Sequence, residues 1–179
     1  KIAEEWWNPT GKFKPLHKFN PIRISYIKDN IIRTFKLQNK KKPLDNIKIL
    51  DIGCGGGILA EELTKKGAIV TGLDASKKTI KIAQNHAKEQ KLNIKYLNKS
   101  LDGHAESCNE KYDVVICFEL IEHVPDQMQL IQDISSICNK GTKIFISTIN
   151  RNIVSFASGK IMAECVLKIV PEGTHQYKK

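Results

Sequence analysis

The stretch Asp51-Ile52-Gly53-Cys54-Gly55-Gly56-Gly57 decides the fold, because it ends a short apolar segment at 47–52 and precedes a helical pattern at 58–66. A glycine-rich turn between a strand and a helix lets a ligand approach the backbone and meet the unpaired N–H groups of the helix. Asp74 follows 21 residues after Gly53, at the end of the next apolar segment. A carboxylate there can accept both hydroxyls of a ribose. The pattern therefore predicts a nucleoside site at the carboxyl edge of a parallel sheet.

Two cofactors use such a turn, and residue 58 separates them. A dinucleotide site favours the spacing Gly-x-Gly-x-x-Gly, in which the last glycine lets the helix pack closely on the sheet. Ile58 occupies that last position. S-adenosylmethionine (SAM) carries no phosphate, and its sites favour an acid just ahead of the first glycine, here Asp51, to bind the amino-acid part of the donor. The loop favours SAM over a dinucleotide or a turn without a ligand, with Asp51, Gly53, Gly55 and Asp74 as cofactor-binding residues.

The remainder of the chain alternates predicted strands and helices. Strands are predicted at 47–52, 68–73, 93–97, 112–118 and 143–149, and helices at 22–37, 58–66, 77–91 and 127–138. Strands separated by helices indicate βαβ units and a parallel sheet covered on both faces. We expect an α/β fold with a doubly wound, mostly parallel sheet, preceded by a turn-rich aromatic segment at 6–23.

Three parts of the chain differ in composition. Residues 1–42 hold both tryptophans and end in a run of lysines, and we expect a helical arm that forms a lid or anchors itself to the sheet. Residues 43–150 carry the strand and helix pattern of the predicted SAM-binding domain. Residues 151–179 break that rhythm, since 153–170 are apolar apart from three charges spaced four residues apart, and we expect a lid or a membrane contact. Both chain ends suggest a fragment of a longer protein.

Composition and charge exclude several classes of protein. Hydrophobic residues make up 41% of the chain and charged residues 27%, which is ordinary globular usage, and no apolar run is long enough to span a membrane. Five cysteines without a Cys-x-x-Cys pair indicate a reducing cytosol. The net charge of +10 rests on lysine, which reads bases poorly compared with arginine. We interpret most of this charge as solvated surface, with an anionic membrane and RNA as alternatives.

The segment Phe118-Glu119-Leu120-Ile121-Glu122-His123-Val124 follows the fourth predicted strand. If a helical turn begins there, Glu119, Glu122 and His123 share one face. Such a set can bind a divalent cation. Alternatively, His123 acts as a general base beside the methyl group, or the residues only order the loop. The residues alone leave these three interpretations open.

Over essentially its whole length the chain resembles the ubiquinone biosynthesis O-methyltransferases. The segments that carry the resemblance lie mostly outside the generic donor loop. They are Trp6-Trp7, Phe13-Lys14-Pro15-Leu16-His17, Asn20-Pro21-Ile22-Arg23, Cys54-Gly55-Gly56-Gly57, Glu119-Leu120-Ile121-Glu122-His123-Val124, Ser147-Thr148-Ile149-Asn150-Arg151 and Val170-Pro171-Glu172-Gly173-Thr174-His175.

The resemblance implies an enzyme that methylates a phenolic hydroxyl of polyprenylated catechol or hydroxyquinol intermediates in ubiquinone biosynthesis. It implies a cytoplasmic protein that is held on the inner membrane face through residues 151–175. The implied partners are an anionic membrane surface and a complex of ubiquinone-biosynthesis enzymes, and nucleic acid is not among them. The family sheet has seven strands, so we expect its C-terminal strands to be missing from this chain. An RNA methyltransferase, another small-molecule methyltransferase and a binding module that retains the donor pocket are the rival hypotheses.

The resemblance also implies roles for individual residues. SAM contacts are implied for Arg23, Gly53, Asp74 and Phe118, of which position 118 is often Met in the family. Magnesium ligands are implied at Glu119, Glu122 and His123, and Glu122 and His123 are the predicted catalytic residues.

Overall fold

The computed structural model describes residues 5–107 and 109–148 of the chain. Its elements follow in the order α1 (Lys14–Phe35), β1 (Lys48–Ile52), α2 (Ile58–Lys65), β2 (Ile69–Leu73), α3 (Lys77–Glu89), β3 (Lys95–Leu97), α4 (Leu101–Ser107), β4 (Tyr112–Phe118), α5 (Gln127–Ser136) and β5 (Cys138–Ser147).

The strands form a parallel sheet in the order β3-β2-β1-β4-β5. The chain moves outward from β1 to β3 and then crosses to β4 on the other side of β1. Ligands of open α/β sheets bind outside the carboxyl ends of the strands where the order reverses. The glycine loop after β1 and the loop after β4 therefore open into the same crevice. The predicted α/β fold with a doubly wound sheet is confirmed.

Alternate side chains of the central strands cover the two faces of the sheet. Ile49 and Ile116 are fully buried against residues of α1, α2 and α3. Leu50 and Val115, their neighbours along the strands, are fully buried against residues of α4 and α5. Each such side chain stabilises the fold by about 1.5–3 kcal/mol relative to leaving it in water. These two cores hold the crevice-forming ends of β1 and β4 rigidly side by side.

The N-terminal helix is longer than the sequence predicted. α1 begins at Lys14 rather than at residue 22, so the prediction of a turn-rich segment holds for residues 5–13 but is wrong beyond them. Pro15 lies in the first turn, where no intrahelical N–H bond is required, and Pro21 removes only one bond from the helix interior. The buried Asn20 amide donates to the Ile58 carbonyl at 3.2 Å, so contact with α2 stabilises this turn against the local effect of proline.

The remaining differences concern α4 and β5. No helix is predicted at 101–107, where Gly103 lowers the helix propensity of the short α4. β5 begins at Cys138 rather than at residue 143, and its register against β4 shifts between Tyr112 and Val114. Because this start of the strand is irregular and contains Gly141, its sequence lacks the alternating pattern of a strand.

Two expectations about the C-terminal part lie outside the described residues: the lid or membrane contact at 151–179 and the missing C-terminal strands. Among residues 5–107 and 109–148, no helix combines the length and the apolar character needed to cross a bilayer.

We predict that alanine has opposite effects at two glycines. Gly57 has a φ of +88°, and a Cβ there would lie 2.3 Å from the Tyr96 hydroxyl. Gly57→Ala should therefore lower the free energy of unfolding by about 2 kcal/mol or more. Gly103 lies within α4, so Gly103→Ala should raise it by about 0.5–1 kcal/mol. Urea unfolding measures both, and a Gly57→Ala protein as stable as the wild type would contradict the described loop.

Candidate functional site

The glycine loop is tied to the neighbouring strand by its own backbone. The N–H groups of Gly53 and Cys54 both donate to the Leu73 carbonyl, at 2.8 and 2.9 Å. Gly57 then forms the N-cap of α2. The loop is thereby held at the carboxyl ends of β1 and β2, as the sequence predicted.

Asp74 follows β2 and faces the loop. Its Oδ2 accepts a hydrogen bond from the Gly55 N–H at 3.0 Å, and its Oδ1 accepts one from the Ser76 N–H at 2.8 Å. The Asn98 side-chain amide donates to the Asp74 carbonyl at 3.0 Å. These bonds fix the orientation of the carboxylate, which lines the crevice.

Two cavities meet at Gly53. The larger has a volume of about 420 Å³ and lies between Asp74 and the loop after β4. The smaller has a volume of about 190 Å³ and is lined by Arg23, Asp51 and Phe118 among others. Gly53 lines both, so the two cavities form one crevice with a carboxylate on each side of the glycine.

Part of the larger cavity was not predicted as part of the site. Its walls include side chains from the loops after β3 and β4 and from the first turns of the helices α4 and α5 that follow them. These are Lys99, Ser100, Leu101, Asp102, Leu120, Val124, Pro125 and Gln129. The available signal is position, since the loop after β3 opens at the same edge of the sheet as Asp74. Their mixed composition, apolar with a few polar groups, is typical of a small-molecule site.

Asp51 lies at the floor of the smaller cavity. It is 3% exposed, and its Oδ2 has no hydrogen-bond partner among the described residues. Burial, together with the nearby charge of Asp74, raises the pKa of Asp51 to about 7. A cationic group that entered this cavity would supply the missing hydrogen bond and favour the ionised carboxylate.

Arg23 reaches the same cavity from α1. Its guanidinium lies 5.6 Å from the centre of the Phe118 ring and pairs with the Glu119 carboxylate. Burial lowers the pKa of Arg23, and the guanidinium still carries its charge at neutral pH. The helix α1 thus places one positive charge beside the buried carboxylate of Asp51 and the half-buried carboxylate of Glu119.

The structure does not bring Glu119, Glu122 and His123 together as a metal site. Glu119 has a φ of +53°, so no helical turn begins there, and its carboxylate faces Arg23. Glu122 Oε2 accepts from the Thr148 hydroxyl at 3.0 Å, while its buried Oε1 has no hydrogen-bond partner in the part of the chain that the structure describes. Residues 5–107 and 109–148 contain no group of three His, Cys, Asp or Glu side chains arranged to hold a metal ion. The shared face expected from helical spacing is therefore wrong.

The N-terminal aromatic residues lie against the glycine loop. Trp6 stacks on Phe13 with ring centroids 4.0 Å apart, and its carbonyl lies 2.8 Å from His17 Nε2. Trp6 also lines the smaller cavity. The segment therefore contacts both the loop and the cavity, which agrees with a lid and with an anchored arm alike.

A family model and several curated relatives match most or all of the chain. A family model described as a methyltransferase domain matches residues 19–176. The ubiquinone biosynthesis O-methyltransferase of Pelagibacter ubique (strain HTCC1062) is 50% identical over 100% of this chain and 74% of the relative. The proteins of the same name from Vibrio vulnificus (strain YJ016) and Brucella anthropi are 43% and 45% identical, each over 72% of the relative and over 99% and 100% of this chain.

Solved structures share the fold. Magnesium protoporphyrin IX methyltransferase from Synechocystis PCC 6803, with bound SAM, gives a TM-score of 0.57 at 24% identity over 73% of this chain and 60% of that one. Coclaurine N-methyltransferase, bound to N-methylheliamine and S-adenosylhomocysteine (SAH), gives a TM-score of 0.54 at 23% identity over 69% of this chain and 35% of that one. The sheet is that of class I SAM-dependent methyltransferases.

We predict that Asp51 makes stability depend on pH. The pKa of Asp51 is about 7 in the folded protein and about 4 in the unfolded chain. The resulting contribution to the free energy of unfolding is complete below about pH 4 and is lost as the pH rises to about 7. Asp51→Asn should therefore raise the free energy of unfolding by about 4 kcal/mol at pH 8 and have little effect at pH 4. Urea unfolding at both values checks this, and an equal difference at both would refute the raised pKa.

Proposed function

The chain belongs to the family of ubiquinone biosynthesis O-methyltransferases, and on that premise we propose roles for the residues that line its crevice and for Glu122 and His123 in the loop after β4. It is a SAM-dependent O-methyltransferase of ubiquinone biosynthesis. SAM supplies a methyl group on a sulfonium cation, and the acceptor is a phenolic hydroxyl of a polyprenylated catechol or hydroxyquinol. The observation that carries the assignment of roles is the pair of cavities that meet at Gly53.

Asp74 binds the ribose of the donor in the larger cavity. A carboxylate can accept about four hydrogen bonds. The Asp74 carboxylate accepts two of them from backbone N–H groups. The remaining two suit a pair of neighbouring hydroxyls. The apolar walls formed by Leu101, Leu120 and Leu130 suit the flat face of adenine.

Asp51 and Arg23 bind the amino-acid part of the donor in the smaller cavity. The orphaned Oδ2 of Asp51 accepts from the donor's ammonium group, and the Arg23 guanidinium pairs with its carboxylate. Phe118 supports Arg23 through the face of its ring. Because Arg23 pairs with Glu119 in this arrangement, binding of the donor exchanges one carboxylate partner of Arg23 for another.

His123 takes the proton of the acceptor. A phenol has a pKa near 10, so it is mostly neutral at pH 7, and its oxygen attacks faster once a base removes the proton. The oxygen then forms a bond to the methyl carbon while the S–CH₃ bond breaks, and the electron pair of that bond stays on sulfur. Glu122 directly precedes His123 in the chain. Its buried Oε1, which has no hydrogen-bond partner among the described residues, can accept a hydrogen bond from the protonated base or from the substrate.

Magnesium stays a prediction of the family resemblance. Because Glu119, Glu122 and His123 do not form one metal site in the described arrangement, no step of the reaction is assigned to a metal. Glu119 would first have to leave Arg23 before it could bind a cation. The feature that favours a cation nearby is the buried Oε1 of Glu122, which has no hydrogen-bond partner within residues 5–107 and 109–148.

The function and the metal are tested in one assay. The full chain should transfer the methyl group of SAM to a short-chain polyprenyl catechol, and His123→Ala should lower kcat by about 10²-fold or more, the usual contribution of a general base. If magnesium binds as the family implies, EDTA should lower the rate and added magnesium should restore it in the wild type but not in Glu119→Gln.

The outcomes of this assay separate the two proposals. Transfer at the full rate in excess EDTA would refute magnesium and leave His123 as the base. An SAH-binding protein that transfers no methyl group to any catechol would refute the enzymatic role. Asn85→Ala, on the exposed side of α3, is a matched control that should leave the rate unchanged.

We further propose that the protein attaches to anionic membranes through residues 151–175, which lie outside the described residues. Three observations support this. The net charge is +10, residues 153–170 are apolar apart from Lys160, Glu164 and Lys168, and a polyprenyl substrate resides in the bilayer. Assembly with other enzymes of the same pathway stays a prediction of the resemblance.

Vesicle flotation tests the membrane proposal. The full chain should float with vesicles that contain anionic lipid and not with neutral ones, and high salt should release it. Charge reversal at both Lys160 and Lys168 should weaken binding, whereas reversal at Lys77 and Lys78, on the exposed start of α3, should have a smaller effect. Absence of binding to anionic vesicles would overturn the proposal.

A further inference from the structure

A buried carboxylate behind the glycine loop takes no part in the reaction proposed above. Glu61, near the start of α2, is 0% exposed. Its Oε1 lies 2.7 Å from Nδ1 of His86 on α3, and its Oε2 has no hydrogen-bond partner among the described residues. Burying a carboxylate is unfavourable unless a partner compensates for the lost water. The imidazole of His86 is therefore held where it meets this oxygen.

His86 presents its ring to the N-terminal segment. The Trp7 indole stacks on the His86 imidazole, with ring centroids 3.5 Å apart and the planes 7° from parallel. The indole Nε1–H donates to the Gly56 carbonyl at 3.1 Å. Trp7 is thus held by α3 through its ring and by the glycine loop through its N–H. We refer to Trp7, His86 and Glu61 together as the clamp.

Holding Trp7 also restricts Trp6, because consecutive Cα atoms are only about 3.8 Å apart. The Trp6 ring lies directly on the loop, since a Cβ at Gly55 would be 2.5 Å from its Cη2 and a Cβ at Gly56 would be 2.7 Å from its Cγ. Trp6 also lines the 190 Å³ cavity beside Arg23. One tryptophan therefore forms a wall of the cavity, and the next one anchors that wall.

We propose that the clamp positions Trp6 as a wall of the donor cavity, so that Glu61 and His86 are positioning residues for SAM although neither lines the cavity. This inference rests on the proposed function, because SAM is the ligand concerned. Opening the clamp frees the N-terminal segment from the loop and exposes the smaller cavity to water. It weakens binding of the donor and leaves the methyl-transfer step unchanged, so the KM for SAM rises while kcat stays.

Titration calorimetry with SAH on the full chain tests the clamp. Trp7→Ala and His86→Ala should each weaken binding about tenfold, which is the effect expected from losing one stacked and hydrogen-bonded aromatic anchor. Asn85→Ala, next to His86 but exposed, is the control and should bind like the wild type. Trp7→Phe keeps a stacking ring and should recover part of the loss. An unchanged Kd in Trp7→Ala, which leaves the core intact, would overturn the proposal.

The double variant shows whether the two residues act as one unit. If His86 acts through Trp7, Trp7→Ala combined with His86→Ala should bind SAH no more weakly than the weaker single variant. Losses that add in full would mean that His86 acts independently of Trp7, and would refute the clamp. This comparison also removes a general destabilisation of the fold as an explanation, because such an effect would persist in the absence of Trp7.

Fluorescence quenching separates a failure of the clamp from a failure of the proposed function. In a Trp6→Phe background, Trp7 is the single tryptophan of the chain, and acrylamide reports its exposure without any donor present. His86→Ala should make Trp7 more accessible to acrylamide. Unchanged accessibility would overturn the clamp even in a protein that binds SAH. A shielded Trp7 in a protein that does not bind SAH would refute the proposed function, and with it the donor role of the clamp.

Discussion

The hydrogen bond between the Gly55 N–H and the Asp74 carboxylate is the constraint on which the crevice depends. It joins the turn after β1 to the end of β2, over 3.0 Å, and a second bond from Ser76 fixes the other carboxylate oxygen. A carboxylate held in this way needs no rearrangement when a ribose arrives, which reduces the cost of binding. The parallel sheet makes this contact possible, because it brings both carboxyl ends to one edge.

The N-terminal helix supplies what the sheet edge lacks. β1 and β2 contribute two carboxylates, and α1 contributes the positive charge of Arg23 together with the aromatic segment that precedes it. The ribose and the ammonium of the donor each require one of the two carboxylates, and the carboxylate of the donor requires the positive charge. The Arg23–Glu119 pair keeps this charge compensated in the described arrangement, so the donor competes with a residue of the protein itself.

The sequence predicted the parts of the site that depend on local spacing. The glycine loop, the position of Asp74 and the parallel strands follow from patterns within about twenty residues of each other. The helical start of α1 did not follow, because contact between Asn20 and α2 outweighs the local effect of Pro21. The helical turn expected at Glu119 does not form for a related reason, since the left-handed backbone there cannot be inferred from residue type. Long-range contacts such as Arg23 with Glu119 and Trp7 with His86 carry no signal in a single sequence.

A crystal structure of the full chain with SAH would show whether the crevice at Gly53 is the donor site. We expect both ribose hydroxyls within about 3 Å of the Asp74 carboxylate, the usual length of such hydrogen bonds, with the amino-acid part in the cavity of Asp51 and Arg23. SAH bound elsewhere, or a ribose in the crevice that Asp74 does not touch, would contradict this expectation.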